Sequence, residues 1–232
     1  MEVSKQVPYV GVLTNVDAAN AIRAARLNAI DLVDTADLLF NMKRHCHSMA
    51  LSILAIEEAA KISIVIMLFL EPGPERTKLW RAYRNHRAKT EWLNPAIEGR
   101  IRATFPQIPA DQAAKIGKLG PAPDELESQK QRALYSDAID IEGKFEPHLP
   151  QRHDWRNLAW ERLCEAKAMA FGLRDYPPDE LAIWLKHVEA AKHNQKPIRS
   201  MLPDLHKELV DKGFVKEGWW ETLLKDAEEL MA

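Results

Sequence analysis

Four polar residues that lie close together in the chain carry side chains able to cut a phosphodiester bond. If their segment is one continuous helix, Arg81, Asn85, His86 and Lys89 share an arc of about 140°. An imidazole can move the proton of a ribose 2′-hydroxyl or of a leaving group near neutral pH. Guanidinium and ammonium groups stabilise the charge that develops on phosphoryl oxygens. The pattern predicts metal-independent phosphodiester cleavage, although chance produces an Arg-x4-His spacing about once in every two chains of this composition.

A second polar group interrupts the most hydrophobic part of the chain. Glu57, Glu58 and Lys61 fall within an arc of about 100° on a helix. They could form an exposed i,i+4 ion pair, which stabilises a helix by about 0.3–0.5 kcal/mol. They could also form a functional pocket. The apolar residues that follow leave this helix no solvated face, and buried charges must either be paired or serve a function. Both interpretations stay open at this point.

The segment 75–102 is basic, although the whole chain has a net charge of −2. It holds eight Lys or Arg residues and three Glu residues. Arg84 and Arg87 could bind the phosphates of RNA, while Trp80 and Tyr83 could stack on its bases. The same composition also fits an amphipathic helix that buries its aromatic residues and exposes its cations. Composition alone favours this second interpretation.

Composition limits the function classes further. The chain has 232 residues, of which 46% are hydrophobic and 28% are charged, so it can form one sizeable core and is not disordered. Its two cysteines cannot form a disulfide framework and indicate a reducing cytoplasm. The longest uncharged apolar stretch, 62–70, has about half the length that a membrane span needs, and no basic and then apolar segment begins the chain. We therefore expect no membrane association.

No sequence pattern points to a metal or a cofactor. The chain contains no HExxH, Walker A, GxSxG or CxxC pattern. We therefore expect chemistry that uses side chains alone.

Hydrophobic residues repeat with the period of an α-helix almost throughout, which predicts an all-α protein. No segment shows sustained alternation next to a hairpin turn signal, so we expect no sheet. The predicted helices are 16–42, 47–70, 75–92 with a continuation to 102, one from 124 through Ile139 and Ile141, 154–171, one from 177, 198–212 and 216–231. We expect a bundle of about four long helices in residues 12–148 and a helical extension in residues 149–232.

Three ordered segments resemble the AbiV-type abortive-infection proteins, a branch of the HEPN superfamily. Residues 48–61, which end in Glu57-Glu58-Ala-Ala-Lys61, are similar to the E-E-x-x-K helix of that branch. His86-Arg-Ala-Lys89 looks like its His-x-x-Lys element, and residues 130–137 resemble its K-x-x-A-L-Y-V-D signature. The resemblance covers about residues 15–145.

The resemblance implies a HEPN-like α-helical bundle that forms a homodimer and acts in bacterial defence against phage. In nuclease members of the superfamily, Arg-x4-6-His motifs of two protomers face each other and cleave RNA without metal. By this resemblance Arg81 binds phosphate and His86 transfers the proton. The supporting polar pocket implied around them consists of Glu57, Glu58, Lys61, Asn85, Lys89, Lys130, Tyr135 and Asp137.

Three functional hypotheses remain. The first is an effector ribonuclease that halts growth of an infected bacterium by cutting RNA needed for translation, such as tRNA or ribosome-associated RNA. The net acidity argues against indiscriminate RNA binding, so we expect either such a structured substrate or latency until a phage-encoded activator triggers activity. The second is a non-catalytic protein of the same fold that blocks translation or senses a phage component. This second hypothesis gains weight because Ala82 follows Arg81, where nuclease members often have a polar residue. The third is a helical bundle of unrelated function.

Overall fold

The computed structural model describes residues 8–71, 73–92, 122–135, 137–141, 144–148, 150, 154–171, 175–196 and 198–218. Its elements are the helices α1 (Asn15–Asn41), α2 (His45–Leu70), α3 (Glu75–Arg84), α4 (His86–Glu91) and α5 (Pro123–Leu134), the strands β1 (Asp137–Ile141) and β2 (Lys144–His148), and the helices α6 (Arg156–Phe171), α7 (Pro178–His193) and α8 (Leu202–Asp211), with a 3-10 turn at Ile198–Met201.

The two longest helices agree with the sequence prediction within two residues. The chain enters α1 through reciprocal hydrogen bonds, in which the Asp17 amide donates to Thr14 Oγ1 (3.1 Å) and the Thr14 amide donates to Asp17 Oδ2 (3.0 Å). Helix α2 ends where Glu71 takes an extended conformation directly before Pro72. A long apolar repeat and a proline stop were sufficient to predict these two helices.

Helix α2 is the centre of the molecule's main core. Its residues Met49, Ile53 and Ile56 are buried together with Val33 of α1 and Leu163 of α6. It also packs against α3, α4 and α5. Because helices surround it, a polar side chain on α2 must find its partners within the protein.

The all-α prediction is confirmed for the main architecture, but a short hairpin departs from it. Strands β1 and β2 pair antiparallel, with Ile139 opposite Glu146 and Ile141 opposite Lys144. The predictions of a helix through Ile139 and Ile141, and of no sheet, were therefore wrong. Tyr135 ends α5 in an extended conformation, and two β-branched residues on either side of Asp140 suit a strand better than a helix.

The chain divides into two compact units. The first contains residues 1–12 and 21–174, and the second contains residues 13–20 and 175–232. The first unit continues past residue 148, where we placed the end of the bundle, because α6 packs against α2 in the main core.

The second unit has its own small core. Its hydrophobic cluster of buried residues consists of Ala191 of α7, Met201 of the 3-10 turn, and Leu205 and Leu209 of α8. The side chain of Asn15 joins the start of α1 to this unit by donating to the Ala182 carbonyl (3.3 Å). The predicted helix at 216–231 lies almost wholly outside the described residues, as does the predicted continuation of the third helix past Trp92.

Of the helices that the structure describes, none is both long enough and apolar enough to cross a membrane.

Candidate functional site

Glu57 is a buried carboxylate at the centre of a polar cluster between α2, α4 and α5. Its side chain is 1% exposed. Lys130 Nζ of α5 donates to its Oε1 atom at 2.5 Å, and His86 Nδ1 of α4 is hydrogen-bonded to its Oε2 atom. Lys89 Nζ lies 4.0 Å from the same Oε2 atom. One carboxylate thus joins three helices, so the exposed i,i+4 pair considered above is not what the structure contains.

Glu58 forms the second half of this cluster. Lys61 Nζ donates to its Oε2 atom at 2.6 Å, and Lys89 Nζ lies 3.6 Å from its Oε1 atom. Lys61 Nζ also lies 5.1 Å from the centre of the Tyr83 ring. The exposed fraction of the side chain is 4% for Lys89, so its ammonium is available to these carboxylates and not to a ligand in solution.

One member of the cluster was missed by the sequence analysis. Glu127 of α5 places its Oε2 atom 2.7 Å from Lys130 Nζ, which is bonded to Glu57 on its other side. The i,i+3 spacing of Glu127 and Lys130 was the available signal. We name the polar cluster by its members, which are Glu57, Glu58, Lys61, His86, Lys89, Glu127 and Lys130.

Burial and pairing oppose each other in the acidic half of the polar cluster. Burial alone would raise the pKa of the Glu58 carboxyl, but hydrogen bonds from Lys61 and Asn28 outweigh it and hold that pKa below its usual value. Burial likewise acts to raise the pKa of Glu127. The hydrogen bonds from Lys130 and Gln131 outweigh burial and lower this pKa below its usual value. Both carboxyls are therefore held in the charged form.

The two buried lysines differ in the direction of their shifts. Burial lowers the pKa of Lys89, and repulsion from Lys61 lowers it further; together these two effects outweigh the attraction of Glu58 and Glu57, which acts to raise it. Burial also acts to lower the pKa of Lys130, but its hydrogen bonds to Glu127 and Glu57 raise it above the usual value. Lys130 is thus the main ion-pair partner of Glu57, at 2.5 Å, whereas Lys89 lies at 4.0 Å and interacts more weakly.

The continuous helix assumed for residues 75–92 is broken at Asn85, which corrects the common-face argument. Asn85 is extended (φ −93°, ψ 124°), so α3 ends at Arg84 and α4 begins at His86. The Asn85 Oδ1 atom accepts a hydrogen bond from the Ala88 amide (3.0 Å), as an N-cap residue does. The break turns His86 and Lys89 toward Glu57, and it leaves Arg81 on the preceding helix.

Arg81 lies in a different place from His86. Its exposed side chain lines an open groove of about 550 Å³ beside α3 and α4, and Asn85 forms part of the same lining. His86 is not among the lining residues, and no contact joins it to Arg81 in the described part of the chain. The structure therefore does not bring the two residues of the Arg-x4-His pattern into contact within one protomer.

The side chains suggested to bind RNA are mostly engaged within the protein. Trp80 is 7% exposed, and its Nε1 atom donates to the Gly11 carbonyl (3.2 Å). Its ring packs edge-on against Tyr83, whose centre is 5.6 Å away. Arg84 lies over the Trp80 ring, and Arg87 forms an ion pair with Asp124 (2.9 Å). Because Trp80 is buried, the expectation that it stacks on a base is wrong, and the amphipathic interpretation describes these residues.

The two remaining residues of the predicted pocket lie at the end of α5. Tyr135 is 58% exposed and follows the last residue of the helix. Asp137 is the first residue of β1, and its side chain lies outside the described residues. Of the predicted pocket, the structure therefore brings Glu57, Glu58, Lys61, Lys89 and Lys130 together around His86.

The bond between Glu57 and His86 has a chemical consequence. A carboxylate only accepts hydrogen bonds, so the imidazole donates its Nδ1 proton, and in the neutral form of the ring the lone pair is on Nε2. The side chain of His86 is 57% exposed, and within the described residues its Nε2 atom has no partner. The arrangement fixes one tautomer and one ring orientation, which is what a proton-transfer histidine requires.

The described residues include no group of three or more His, Cys, Asp or Glu side chains placed to hold a metal ion.

A comparison with protein families identifies the chain. The profile of the HEPN_AbiV family, described as AbiV, matches residues 17–170, which is well over half of the chain and includes every member of the polar cluster. Neither the curated proteins nor the solved structures gave a match. The chain therefore belongs to the AbiV family of HEPN proteins.

Proposed function

We propose that this protein is an anti-phage abortive-infection effector that cuts RNA needed for translation, as a metal-independent HEPN ribonuclease in the cytoplasm. The observation that carries the proposal is the exposed imidazole of His86, held by the buried carboxylate of Glu57. The ion pair of Glu57 with Lys130 keeps this carboxylate in place. Burial of such an ion pair costs free energy in desolvation. Its presence therefore indicates a role in packing or in chemistry.

In the proposed reaction His86 Nε2 takes the proton of a ribose 2′-hydroxyl. The 2′-oxygen then bonds to the adjacent phosphorus, and the bond from phosphorus to the 5′-oxygen of the next nucleotide breaks. That oxygen takes a proton from the imidazolium so formed and leaves as a 5′-hydroxyl, which returns the imidazole to its neutral form, while the other fragment ends in a 2′,3′-cyclic phosphate. General acid–base catalysis of this type contributes about 10²–10⁴-fold to a rate. Glu57 positions the imidazole, and the guanidinium of Arg81 stabilises charge on the phosphoryl oxygens.

The reaction also requires a second copy of the chain. Arg81 and His86 make no contact within the described part of one protomer. A two-fold homodimer repeats both groups across its axis, so that one composite cleft receives an arginine and a histidine from each copy. We expect the active species to be this dimer.

The substrate is expected to be a selected RNA rather than any RNA. Affinity for phosphate backbones rises with the number of cations that a protein presents, and this chain has a net charge of −2. We therefore propose a structured RNA, tRNA or ribosome-associated RNA, as the substrate. The alternative that the low cation content leaves is activity held back until a phage-encoded activator is present, and it predicts no cleavage by the purified protein.

The test uses purified protein with total tRNA and with an unstructured RNA, in the presence of EDTA. We expect selective cleavage of tRNA to fragments with 2′,3′-cyclic phosphate ends, reduced at least 100-fold by His86→Ala. His193→Ala is the matched control, because His193 is an exposed histidine in the second unit. Rapid unselective degradation, equal activity of His86→Ala, or a strictly monomeric active protein in light scattering would each contradict the proposal.

One observation favours a second candidate function, a non-catalytic binding protein that blocks translation or senses a phage component. In the polar cluster the three lysines face the three glutamates Glu57, Glu58 and Glu127. The polar cluster could then serve only to hold α2, α4 and α5 together. For that function, His86→Ala keeps the biological effect, whereas a variant of the partner-binding surface loses it.

A further inference from the structure

The groove beside α3 and α4 combines apolar walls with two charged side chains, those of Arg81 and Glu91, that have no partner among the described residues. Its volume of about 550 Å³ lies within the range of small-molecule sites. Met67, Leu79 and the half-buried Trp92 supply apolar wall. The charged side chains of the lining are Glu71, Glu75, Lys78, Arg81 and Glu91.

Arg81 differs from the other cations of α3 and α4. Lys78 pairs with Glu75 at 2.8 Å, Arg84 reaches the Tyr9 carbonyl and the Trp80 ring, and Arg87 pairs with Asp124. Arg76 bonds to the Glu71 carbonyl, and Lys89 is buried in the polar cluster. By contrast, the guanidinium of Arg81 makes no hydrogen bond, ion pair or ring contact in the described part of the chain.

Glu91 is the acidic counterpart of Arg81 in this groove. Glu75 is occupied by Lys78, whereas the exposed carboxylate of Glu91 has no hydrogen bond or ion pair among the described residues. The groove thus contains a cation (Arg81) and a hydrogen-bond acceptor (Glu91) without partners among the described residues, and the indole of Trp92. A ligand that fits all three carries an anionic group, N–H donors and a flat ring.

We propose that this groove binds one guanosine nucleotide of the RNA, with its phosphate on Arg81, its base against Trp92 and its N–H edge on Glu91. This inference rests on the proposed function and names the nucleotide recognised at that site. Arginine recognises phosphate with paired N–H donors. An ionised carboxylate has two acceptor oxygens, and guanine is the RNA base whose pairing edge presents two adjacent N–H donors. Aromatic side chains stack on unpaired bases.

The position of the groove suits a nucleotide next to the bond that is cut. Asn85 lines the groove, and His86 follows it directly in the chain and carries the exposed imidazole. The groove therefore reaches the residue that directly precedes His86 at the start of α4.

The test is calorimetric titration of the full-length protein with the four ribonucleoside monophosphates, using both the 3′- and the 5′-phosphate forms. We expect saturable binding with guanosine monophosphate bound most tightly. Arg81→Gln should weaken it at least tenfold, and Glu91→Gln should remove the preference for guanine. Lys78→Gln is the matched control, because Lys78 lines the same groove but is already paired with Glu75. It should bind as the wild type does.

Three results would overturn this inference: no saturable binding by the wild type, equal binding of the four bases, or binding that Arg81→Gln and Glu91→Gln leave unchanged. The outcome is separable from that of the proposed function, because His86→Ala should abolish RNA cleavage and keep nucleotide binding. Guanosine binding without RNA cleavage would support the groove and contradict the ribonuclease. RNA cleavage without guanosine binding would support the ribonuclease and contradict the nucleotide site in the groove.

Discussion

The short helix α4 contributes to two regions, the polar cluster and the groove, which differ in whether their charged side chains are buried and paired. His86 and Lys89 contribute to the polar cluster, where a buried carboxylate and a buried lysine meet at 2.5 Å. Ala88 and Glu91 line the groove, where Glu91 and Arg81 are exposed and have no partner among the described residues. The polar cluster uses its charges to hold three helices in place, whereas the groove keeps its charges for a ligand. The count of basic residues in the segment 75–102 could not show which of them are paired within the protein and which are exposed without a partner.

The largest expected effect is on stability, through the centre of the polar cluster. Glu57→Gln removes the most deeply buried carboxylate from Lys130 and Lys89, and it leaves them with only Glu127 and Glu58 as counter-charges. Removal of one partner of a buried ion pair costs about 3–5 kcal/mol in the free energy of unfolding. Urea unfolding followed by circular dichroism measures this loss.

The control for Glu57→Gln is Glu75→Gln, since the ion pair of Glu75 with Lys78 is exposed (60% and 73%). Exposed pairs contribute about 0–1 kcal/mol. If both variants lost the same stability, the polar cluster would not be the structural centre that the comparison requires.

A smaller effect is expected from acid. The pKa of Glu58 is held below its ordinary value of 4.5, so between these two values the unfolded chain binds more protons than the folded one. The contribution of Glu58 to the free energy of unfolding is therefore complete above about pH 4.5 and is lost as the pH falls through the folded pKa.

Urea unfolding at a series of pH values from 3 to 6 measures this dependence. Glu58→Gln should be less stable than the wild type at pH 6 and should lose less stability on acidification. Parallel curves for the two proteins would show that Glu58 is not held in its charged form by Lys61 and Asn28.

The smallest expected effect on stability is in the groove. Arg81→Gln and Glu91→Gln remove side chains that have no partner within the described residues, so each should change the free energy of unfolding by less than about 0.5 kcal/mol. The same urea titration measures both. A loss of 2 kcal/mol in either variant would mean that the groove contributes to folding, and the distinction between the two regions would fail.

The long elements of the fold were predictable because their sequence signals are long. Helix α1 repeats an apolar stripe for more than twenty residues, whereas α2 is apolar on nearly all sides, and Pro72 follows the end of α2. The hairpin after α5 was missed, because Ile139 and Ile141 are too few to distinguish a strand from the end of a helix.

The membership of the polar cluster was partly predictable, but its geometry was not. The resemblance to AbiV-type proteins named Glu57, Lys130 and His86 together, and the structure brings them into contact. The break at Asn85 was not predicted, although asparagine is among the preferred N-cap residues. Because the helix breaks at Asn85, His86 bonds to Glu57 while Arg81 lines the groove, and no periodicity argument could have found this break.

The central claim is that His86, held by Glu57, carries out RNA cleavage that stops growth. The most direct test is induced expression in bacteria of the wild type, His86→Ala and the control His193→Ala, with growth and total RNA followed together. We predict growth arrest with discrete RNA fragments for the wild type and for His193→Ala, and loss of both for His86→Ala. Growth arrest by His86→Ala with intact RNA would contradict the account and would support the non-catalytic binding protein.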